Sequence, residues 1–184
     1  EIVDHGDGED GVPYMAMEFL EGQSLADLLA SGPLPVARAV ELARSALAAL
    51  AVVHGAGVVH RDVKPSNLYV VDTAAGPQLK LLDFGLCTAL DEASTLTRSG
   101  GFVGTPHYAA PELLDGGRPF DRRVDLYSLA LVLYEAVTGR RAFSEDRMLA
   151  LVGAIARGVR TPPSEVLPTL PRALDAVILR GCAL

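Results

Sequence analysis

Two short apolar runs in the middle of the sequence predict a β-hairpin with polar residues at its open end. The runs are residues 68–71 and 79–82, and a turn-like segment separates them. If Leu68 pairs with Leu82, then Asn67 faces Asp83 at a Cα separation of about 5 Å. An amide oxygen and a carboxylate that converge in this way could hold a hard cation such as Mg²⁺. The spacing alone therefore predicts a magnesium site at the open end of the hairpin.

The elements on the N-terminal side of this hairpin must help to position it. Residues 14–19 alternate as a strand does, and Ser24 is placed to cap a short helix that ends at Ala30. Residues 36–54 predict a longer helix. Its predicted apolar face consists of Val40, Ala43, Leu47 and Leu50.

The second half of the sequence predicts further helices. Residues 124–138 are apolar almost all round, which predicts a helix buried on every side. Asp125 is its predicted N-cap, and Gly139 is suited to its C-terminal end. Two more helices are predicted over residues 149–156 and from Ala173 to the end.

Composition limits the class of protein. The 184 residues carry a net charge of −7 and are 49% hydrophobic, enough for one domain with its own core. No basic stripe indicates nucleic-acid binding, no segment has the ~18 apolar residues of a membrane helix, and Cys87 and Cys182 suggest neither a disulfide nor a zinc site. Lys64 and Lys80 are the only lysines among 16 basic residues, which is typical of a GC-rich bacterial genome. Both ends look cut, so we expect a fragment of a longer protein.

Three motifs resemble those of protein kinases. Residues 60–67 read H-R-D-V-K-P-S-N and resemble the catalytic loop H-R-D-x-K-P-x-N. Residues 83–85 match D-F-G and residues 110–112 match A-P-E, in the kinase order and at kinase-like intervals. The resemblance covers nearly the whole chain and is closest to the bacterial eukaryotic-like (Hanks-type) serine/threonine kinases.

The resemblance implies a role for each residue of the catalytic loop. Phosphoryl transfer depends mainly on positioning and on neutralising charge. Asp62 would accept or orient the proton of the substrate hydroxyl, and Lys64 would neutralise charge on the transferred group. Asn67 and Asp83 would hold Mg²⁺ on the phosphates of ATP. Lys64, two residues after Asp62, is typical of serine/threonine rather than tyrosine kinases, whereas Asp62 considered by itself could be a solvated loop acid.

The segment before A-P-E resembles an activation segment. Gly104 and Thr105 fit the pattern G-T-x-x-Y, so Thr105 would bond Asp62 and Lys64; the alternative is a simple turn hydroxyl. Residues 86–103 are rich in Ser, Thr and Gly. The regulatory candidates are Arg61, which could bind a phosphate bidentately, and the acceptors Thr97 and Ser99. An exposed loop with no regulatory role is the alternative.

The resemblance also predicts the adenine site. The backbone around Glu18 and Leu20 would contact the base, with Met17 beside it as gatekeeper. Tyr69 would lie under the adenine, where the family usually has an aliphatic residue.

The remaining family positions are structural. His60, Phe84 and Gly85 belong to the motifs, and Asp125 would also brace the catalytic-loop backbone near His60 and Arg61. Glu112 would pair with an arginine beyond residue 184. Ala130 replaces a glycine that is common in the buried helix.

Two parts of a complete kinase are missing from this sequence. We find no glycine-rich phosphate loop and no strand lysine, since both lysines belong to the catalytic region. Residues 6–11 do read G-x-G-x-x-G, but three acidic residues within that hexapeptide would repel phosphates. We interpret this segment as a surface turn between two strands.

We therefore predict a protein-kinase-like α+β fold, with a mostly helical C-terminal lobe, a hinge strand and a short β-hairpin. Residues 1–19 would be the end of the N-terminal lobe and the hinge, and residues 20–184 a C-terminal lobe truncated at its end. The predicted function is ATP- and Mg²⁺-dependent phosphorylation of protein Ser/Thr by the parent protein, with this fragment alone inactive. The alternative is a pseudokinase or interaction module. We expect a cytoplasmic location, no nucleic-acid partner, no membrane segment in this chain, possible dimerisation for autophosphorylation, and a membrane anchor, if any, elsewhere in the parent.

Overall fold

The structure is a computed structural model that describes residues 2–8, 10–73, 76–83, 106–114 and 119–183. Strands and helices both contribute, as the α+β prediction requires. Five predicted functional residues lie outside the described residues: Phe84, Gly85, Thr97, Ser99 and Thr105.

In chain order the elements are β1 (Ile2–Asp7), β2 (Pro13–Met17), β3 (Gly22–Ser24), α1 (Leu25–Ala30), α2 (Val36–Gly55), a 3₁₀ turn (Pro65–Asn67), β4 (Leu68–Thr73), β5 (Gly76–Leu81), a second 3₁₀ turn (Pro106–Tyr108), α3 (Pro111–Leu114), α4 (Arg123–Thr138), α5 (Met148–Ala156), α6 (Pro163–Val166) and α7 (Arg172–Gly181).

The first two strands form an antiparallel hairpin in which Asp7 lies opposite Pro13. The backbone N–H of Gly8 donates to the carbonyl of Val12, so the glycine-rich segment closes a turn between two strands, as predicted. β2 ends at Met17, two residues earlier than the predicted strand, because the chain there leaves this hairpin for the second sheet.

The second sheet has the order β3-β4-β5, with both pairs antiparallel. Gly22 permits the close approach of β3, since a Cβ at this position would lie 2.1 Å from the carbonyl oxygen of Val70. The predicted register of the β4–β5 hairpin is wrong by one residue. Leu68 lies opposite Leu81, not Leu82, and the two strands extend to Thr73 and Gly76.

The observed register has a clear physical reason. It pairs Leu68 with Leu81 and Val70 with Leu79, and all four side chains are buried. A slip of one residue would place the buried residues of one strand opposite the exposed face of the other. Burial of the apolar face therefore selects this register, and Asn67 does not lie opposite Asp83.

α1 begins as predicted at Ser24, with a complete capping box. The Ser24 hydroxyl accepts a hydrogen bond from the Asp27 N–H at 3.1 Å, and the Asp27 carboxylate accepts one from the Ser24 N–H at 3.2 Å. This cap fixes where the chain turns from β3 into the first helix.

α2 confirms the predicted long helix, but its apolar face is shifted by one residue. Leu50 is buried as predicted, whereas Leu47 is 45% exposed. The observed buried face consists of Ala39, Leu42, Ala46 and Leu50. The two alanines place little side-chain volume on the face that packs against α4 and β5, so these elements can lie close to the helix axis.

α4 is the most buried helix of the described part, but it does not begin as predicted. Arg122 is its N-cap residue, and Asp125 is the third residue of the helix rather than its cap. The Asp121 carboxylate instead accepts the Arg123 N–H at 2.9 Å. Leu126 is 38% exposed, so the helix is not buried on every side. Gly139 ends it with a φ of 69°, a left-handed conformation suited to glycine.

Of the last helices, α6 and α7 pack against α4. α5 matches its prediction, while α7 begins at Arg172 and ends at Gly181, before the predicted end at residue 184. A Cβ at Gly181 would lie 2.6 Å from that of Ala130, which makes this a close helix crossing. Across the described residues, we find no helix that combines the length and the apolar character needed to cross a membrane.

Candidate active site

The Asp62 carboxylate lies at the centre of the catalytic-loop segment. Its Oδ2 accepts hydrogen bonds from Lys64 Nζ at 2.6 Å and from Asn67 Nδ2 at 2.9 Å. Asn67 Nδ2 also donates to the Asp62 carbonyl at 3.0 Å. Within the described part of the chain, Asp62 Oδ1 accepts no hydrogen bond, and the Asp62 side chain is 35% exposed. One carboxylate oxygen is thus fixed while the other remains accessible to a proton donor.

His60 ties the loop to the end of β5. Its ring is buried, with Nε2 3.0 Å from the Leu82 carbonyl oxygen and Nδ1 3.3 Å from the Asp62 N–H. These partners match a ring that donates through Nε2 and accepts through Nδ1. The Leu82 N–H also donates to the Asn67 carbonyl at 2.9 Å. The loop and the hairpin are therefore one connected unit.

Asp125, in α4, holds the backbone of the same loop. Its carboxylate has no exposed surface and accepts the backbone N–H of His60 at 2.9 Å and of Arg61 at 2.7 Å. These are the contacts that the resemblance implied for Asp125. The third partner is His54 Nε2 at 2.7 Å, which the sequence did not predict. The available signal was a histidine in the last turn of a helix, six residues before the motif.

Two non-glycine residues of the site have left-handed backbone conformations. Arg61 has a φ of 67° and Asp83 a φ of 58°. Such conformations cost free energy and occur most often at functional sites. For Arg61, the hydrogen bonds from its own N–H and from the His60 N–H to the Asp125 carboxylate help to hold this conformation.

Asn67 and Asp83 are the candidate cation ligands, and their chemistry fits Mg²⁺. Because Asn67 Nδ2 is engaged by Asp62, its Oδ1 is the atom left to meet a cation, with only a 3.4 Å contact from the Ser66 hydroxyl. Asp83 is exposed and supplies carboxylate oxygens. In the described ranges no three His, Cys, Asp or Glu residues cluster to form a metal site. A pair of oxygen ligands suits a Mg²⁺ ion that also binds substrate phosphates.

Residues 18–22, which we call the connector, link the two sheets. Lys80 Nζ lies 2.5 Å from Glu18 Oε1. The Lys80 ammonium is the largest cause that lowers the pKa of Glu18 to about 2. The Tyr69 hydroxyl donates to the Gly22 carbonyl at 2.9 Å and lies 3.3 Å from the Leu20 carbonyl oxygen. Neither contact was predicted, because no local pattern pairs residues so far apart.

The other residues predicted for the adenine and regulatory sites are placed as follows. Met17 is 54% exposed at the end of β2. The Arg61 guanidinium lies over the Phe120 ring, 4.8 Å from its centroid, in a cation–π contact. Its predicted phosphate partners, like Thr105, fall outside the described residues.

The A-P-E region packs on α4 through Tyr108. The Tyr108 hydroxyl donates to the Glu135 carboxylate. Burial is the main cause that raises the pKa of Tyr108, and the Glu135 carboxylate is the second. Glu112, in α3, forms no salt bridge within the described ranges. Its charge contributes to the raised pKa of Arg123, although Asp121 is the main cause.

Taken together, the loop, the hairpin and α4 position the Asp62 carboxylate beside the Lys64 ammonium group, and the candidate cation ligands Asn67 and Asp83 lie in the same connected unit. Such a group can accept a proton from a hydroxyl, and the ammonium and the cation can neutralise charge on a transferred phosphoryl group.

Comparisons with known proteins agree with this chemistry. The family model of the protein kinase domain matches residues 8–168. A probable serine/threonine-protein kinase PknB of Bifidobacterium longum is 38% identical, with 100% of this chain and 26% of that protein covered. The serine/threonine-protein kinase pkn2 of Myxococcus xanthus is also 38% identical, with 97% and 21% covered. The chain thus spans about a quarter of the length of these relatives.

Two solved structures share the fold. Rad53 1–466 in complex with AMP-PNP aligns with a TM-score of 0.74 and 27% identity, covering 96% of this chain and 44% of that chain. The kinase domain of Mycobacterium tuberculosis PknI aligns with a TM-score of 0.72 and 26% identity, covering 100% and 62%. The described elements therefore have a kinase-like α+β arrangement.

Proposed function

This chain belongs to the protein kinase domain family, and from that premise we propose that it is the catalytic portion of an ATP-dependent serine/threonine protein kinase. The observation that carries the proposal is the geometry of Asp62, held on one oxygen by both Lys64 and Asn67. In this proposal the parent protein transfers the γ-phosphoryl group of ATP to Ser or Thr hydroxyls of a protein substrate.

Asp62 is the proposed proton acceptor. Oδ2 is saturated by two donors, so the substrate hydroxyl would approach Oδ1. The Lys64 ammonium donates to the Asp62 carboxylate at 2.6 Å and would neutralise negative charge that develops during transfer. Lys64 and Asp62 thus act as one positioned pair.

Asn67 and Asp83 are the proposed ligands of Mg²⁺. The Asn67 Oδ1, which has only a long 3.4 Å contact from the Ser66 hydroxyl, and the exposed Asp83 carboxylate support this assignment. When bound, Mg²⁺ would neutralise charge on the ATP phosphates. Because Asn67 also donates to Asp62, this chain couples the position of the cation ligand to that of the proton acceptor.

The adenine site is proposed at the connector. Met17, the backbone of Glu18 and Leu20, and the ring of Tyr69 would surround the base, with residues 1–19 forming the end of the N-terminal lobe and the hinge. Residues 20–184 would be the C-terminal lobe. The structural similarity to Rad53, determined with AMP-PNP, supports an adenine nucleotide as the ligand.

The regulatory assignments remain predictions. Arg61 would bind a phosphate on Thr97 or Ser99, and Thr105 would bond the catalytic pair. The contact of Arg61 with Phe120 leaves the guanidinium oriented on an aromatic face, which supports a role in recognising an anion. Dimerisation for autophosphorylation and a cytoplasmic location also remain predictions.

We further propose that these 184 residues do not transfer phosphate without the rest of a kinase domain. Both lysines have other partners, Lys64 with Asp62 in the catalytic loop and Lys80 with Glu18 in the connector, so neither serves as the strand lysine that pairs with the α- and β-phosphates.

The test is Mg·ATP-dependent phosphorylation of a Ser/Thr peptide mixture by the full-length protein, its Asp62→Asn variant and the 184-residue chain. We expect transfer by the full-length protein, a loss of about 10²-fold or more in the variant, and none by the chain alone. Glu41→Gln, an exposed change on α2, is the control and should transfer normally. A folded full-length protein that binds Mg·ATP but transfers nothing would instead identify a pseudokinase.

A further inference from the structure

Tyr69 and Lys80 attach the connector to the catalytic hairpin at two points. They lie directly opposite each other on β4 and β5. Their neighbours Leu68, Val70, Leu79 and Leu81 are buried on the opposite face of the hairpin. Tyr69 and Lys80 therefore share the face that meets the connector, and both are half-buried there.

The Tyr69 contact fixes the backbone of the connector. Its hydroxyl donates to the Gly22 carbonyl at 2.9 Å and lies 3.3 Å from that of Leu20. The aliphatic side chain that is usual at this position in the family has no hydrogen-bond donor. In this chain the attachment therefore depends on the Tyr69 hydroxyl.

The Lys80 contact fixes the other end of the connector through the Glu18 side chain at 2.5 Å. The two side chains are 37% and 38% exposed, so by itself this ion pair contributes little to stability. Combined with Tyr69, it restrains the connector at residues 18, 20 and 22, the segment whose backbone is proposed to meet adenine.

We propose that Tyr69 and Lys80 are positioning residues for the nucleotide, forming a two-point latch that fixes the connector backbone before ATP binds. The inference rests on the proposed function for its ligand but not for its geometry. A binding segment that is already ordered loses less conformational entropy when the ligand binds, so nucleotide affinity should depend on the latch. Neither side chain need contact a reacting atom.

The experiment uses the full-length protein with Tyr69→Phe, Lys80→Met and the charge exchange Glu18→Lys with Lys80→Glu. Tyr69→Phe keeps the aromatic ring and removes only the donor. Two quantities are measured without turnover: the amide hydrogen exchange of residues 17–22 in the absence of nucleotide, and the Kd of Mg·ADP. Steady-state kinetics give KM for ATP and kcat. Glu41→Gln is the matched control, because it breaks an ion pair with Arg38 that involves no residue of the connector, and the Glu41 side chain is exposed.

We expect Tyr69→Phe to speed exchange of the connector amides and to weaken Mg·ADP binding about five-fold, the effect of one neutral hydrogen bond. KM for ATP should rise more than kcat falls. Lys80→Met should weaken binding about two-fold, and the charge exchange should recover most of that loss. Glu41→Gln should change neither quantity.

Unchanged connector exchange in Tyr69→Phe would overturn the latch, and faster exchange with an unchanged Kd would overturn its role in nucleotide binding. Exchange and ADP binding do not require phosphate transfer. If both respond as expected but the wild-type protein transfers no phosphate, the latch stands and only the proposed kinase activity fails.

Discussion

Asp125 shows how one buried carboxylate can position a functional loop. Three donors converge on it: the N–H groups of His60 and Arg61 and the Nε2 of His54. The carboxylate has no exposed surface, so water cannot replace a lost partner. Both of its oxygens accept hydrogen bonds, so the site requires a carboxylate and not only a side chain of the same shape.

We therefore expect Asp125→Asn to destabilise the protein by about 2 kcal/mol, the cost of leaving a buried donor unsatisfied. The amide has only one acceptor oxygen, so its NH₂ group must face one of the donors. The measurement is urea unfolding of the full-length protein, together with the rate of peptide phosphorylation, which should fall because the loop carrying Asp62 is less well held.

Asp121→Asn is the matched control, because Asp121 lies at the start of the same helix and its side chain is 54% exposed. We expect its cost to be clearly smaller than that of Asp125→Asn, because solvent screens the charge of an exposed side chain. Equal unfolding midpoints for the two variants would show that the burial of Asp125 does not increase the stability cost of its replacement.

The residues of the site that are close in sequence could be predicted. Among the contacts made across the fold, the one between Asp125 and the backbone of His60 and Arg61 was expected from the family resemblance, and the others were not. Asp62, Lys64 and Asn67 occur within six residues, and the structure brings their side chains together. The partners of Lys80 and Tyr69 are 62 and 47–49 residues away. Their contacts depend on how β2, β3 and the hairpin pack, which no local pattern determines.

At the scale of secondary structure, the positions of strands and helices were easier to predict than their registers. The β4–β5 hairpin and α2 were both predicted, but the pairing register of the hairpin and the buried face of α2 were each displaced by one residue. Hydrophobic periodicity tolerates such a shift when apolar residues are abundant, as in the Ala- and Val-rich α2. Packing against neighbouring elements in the folded protein determines which register and which face bury the apolar side chains.

The crossing of α4 and α7 gives a second prediction. A Cβ at Gly181 would lie 2.6 Å from the Ala130 Cβ, so we expect Gly181→Ala to destabilise the protein by about 2 kcal/mol through overpacking. Helix propensity predicts the opposite sign, because alanine is a better helix former than glycine. Thermal or urea unfolding of the full-length protein therefore separates the two effects.

Ala130→Gly supplies the control for this crossing. Alone it should cost about 1 kcal/mol, since it places glycine within α4. Combined with Gly181→Ala it should recover much of the lost stability, because the added methyl group then occupies the space of the one removed. Additive effects in the double-mutant cycle would contradict a direct contact between the two positions.

Across the whole molecule, burial is unevenly distributed. α4 has eleven of its sixteen residues buried. In contrast, every residue of β2 is exposed, and so is all of β1 except Gly6, which is intermediate. The exposed apolar side chains of this N-terminal part include Ile2, Val3, Val12, Tyr14, Met15, Met17 and Phe19. An isolated two-stranded hairpin with no buried face is at best marginally stable in water.

We therefore expect β1 and β2 of the 184-residue chain to unfold locally, well before α2 and α4. Amides of β1 and β2 should exchange with deuterium at nearly the rate of an unstructured peptide, while those of α2 and α4 should be protected to the level of global unfolding. Hydrogen-exchange mass spectrometry resolves the two sets in one experiment, and the α4 amides serve as the internal reference. Adding the preceding residues of the parent protein should protect the hairpin by covering its apolar side chains. Protection of β1 and β2 equal to that of α4 in the 184-residue chain would mean that the hairpin needs no such cover. The dependence on the rest of a kinase domain would then rest only on the strand lysine.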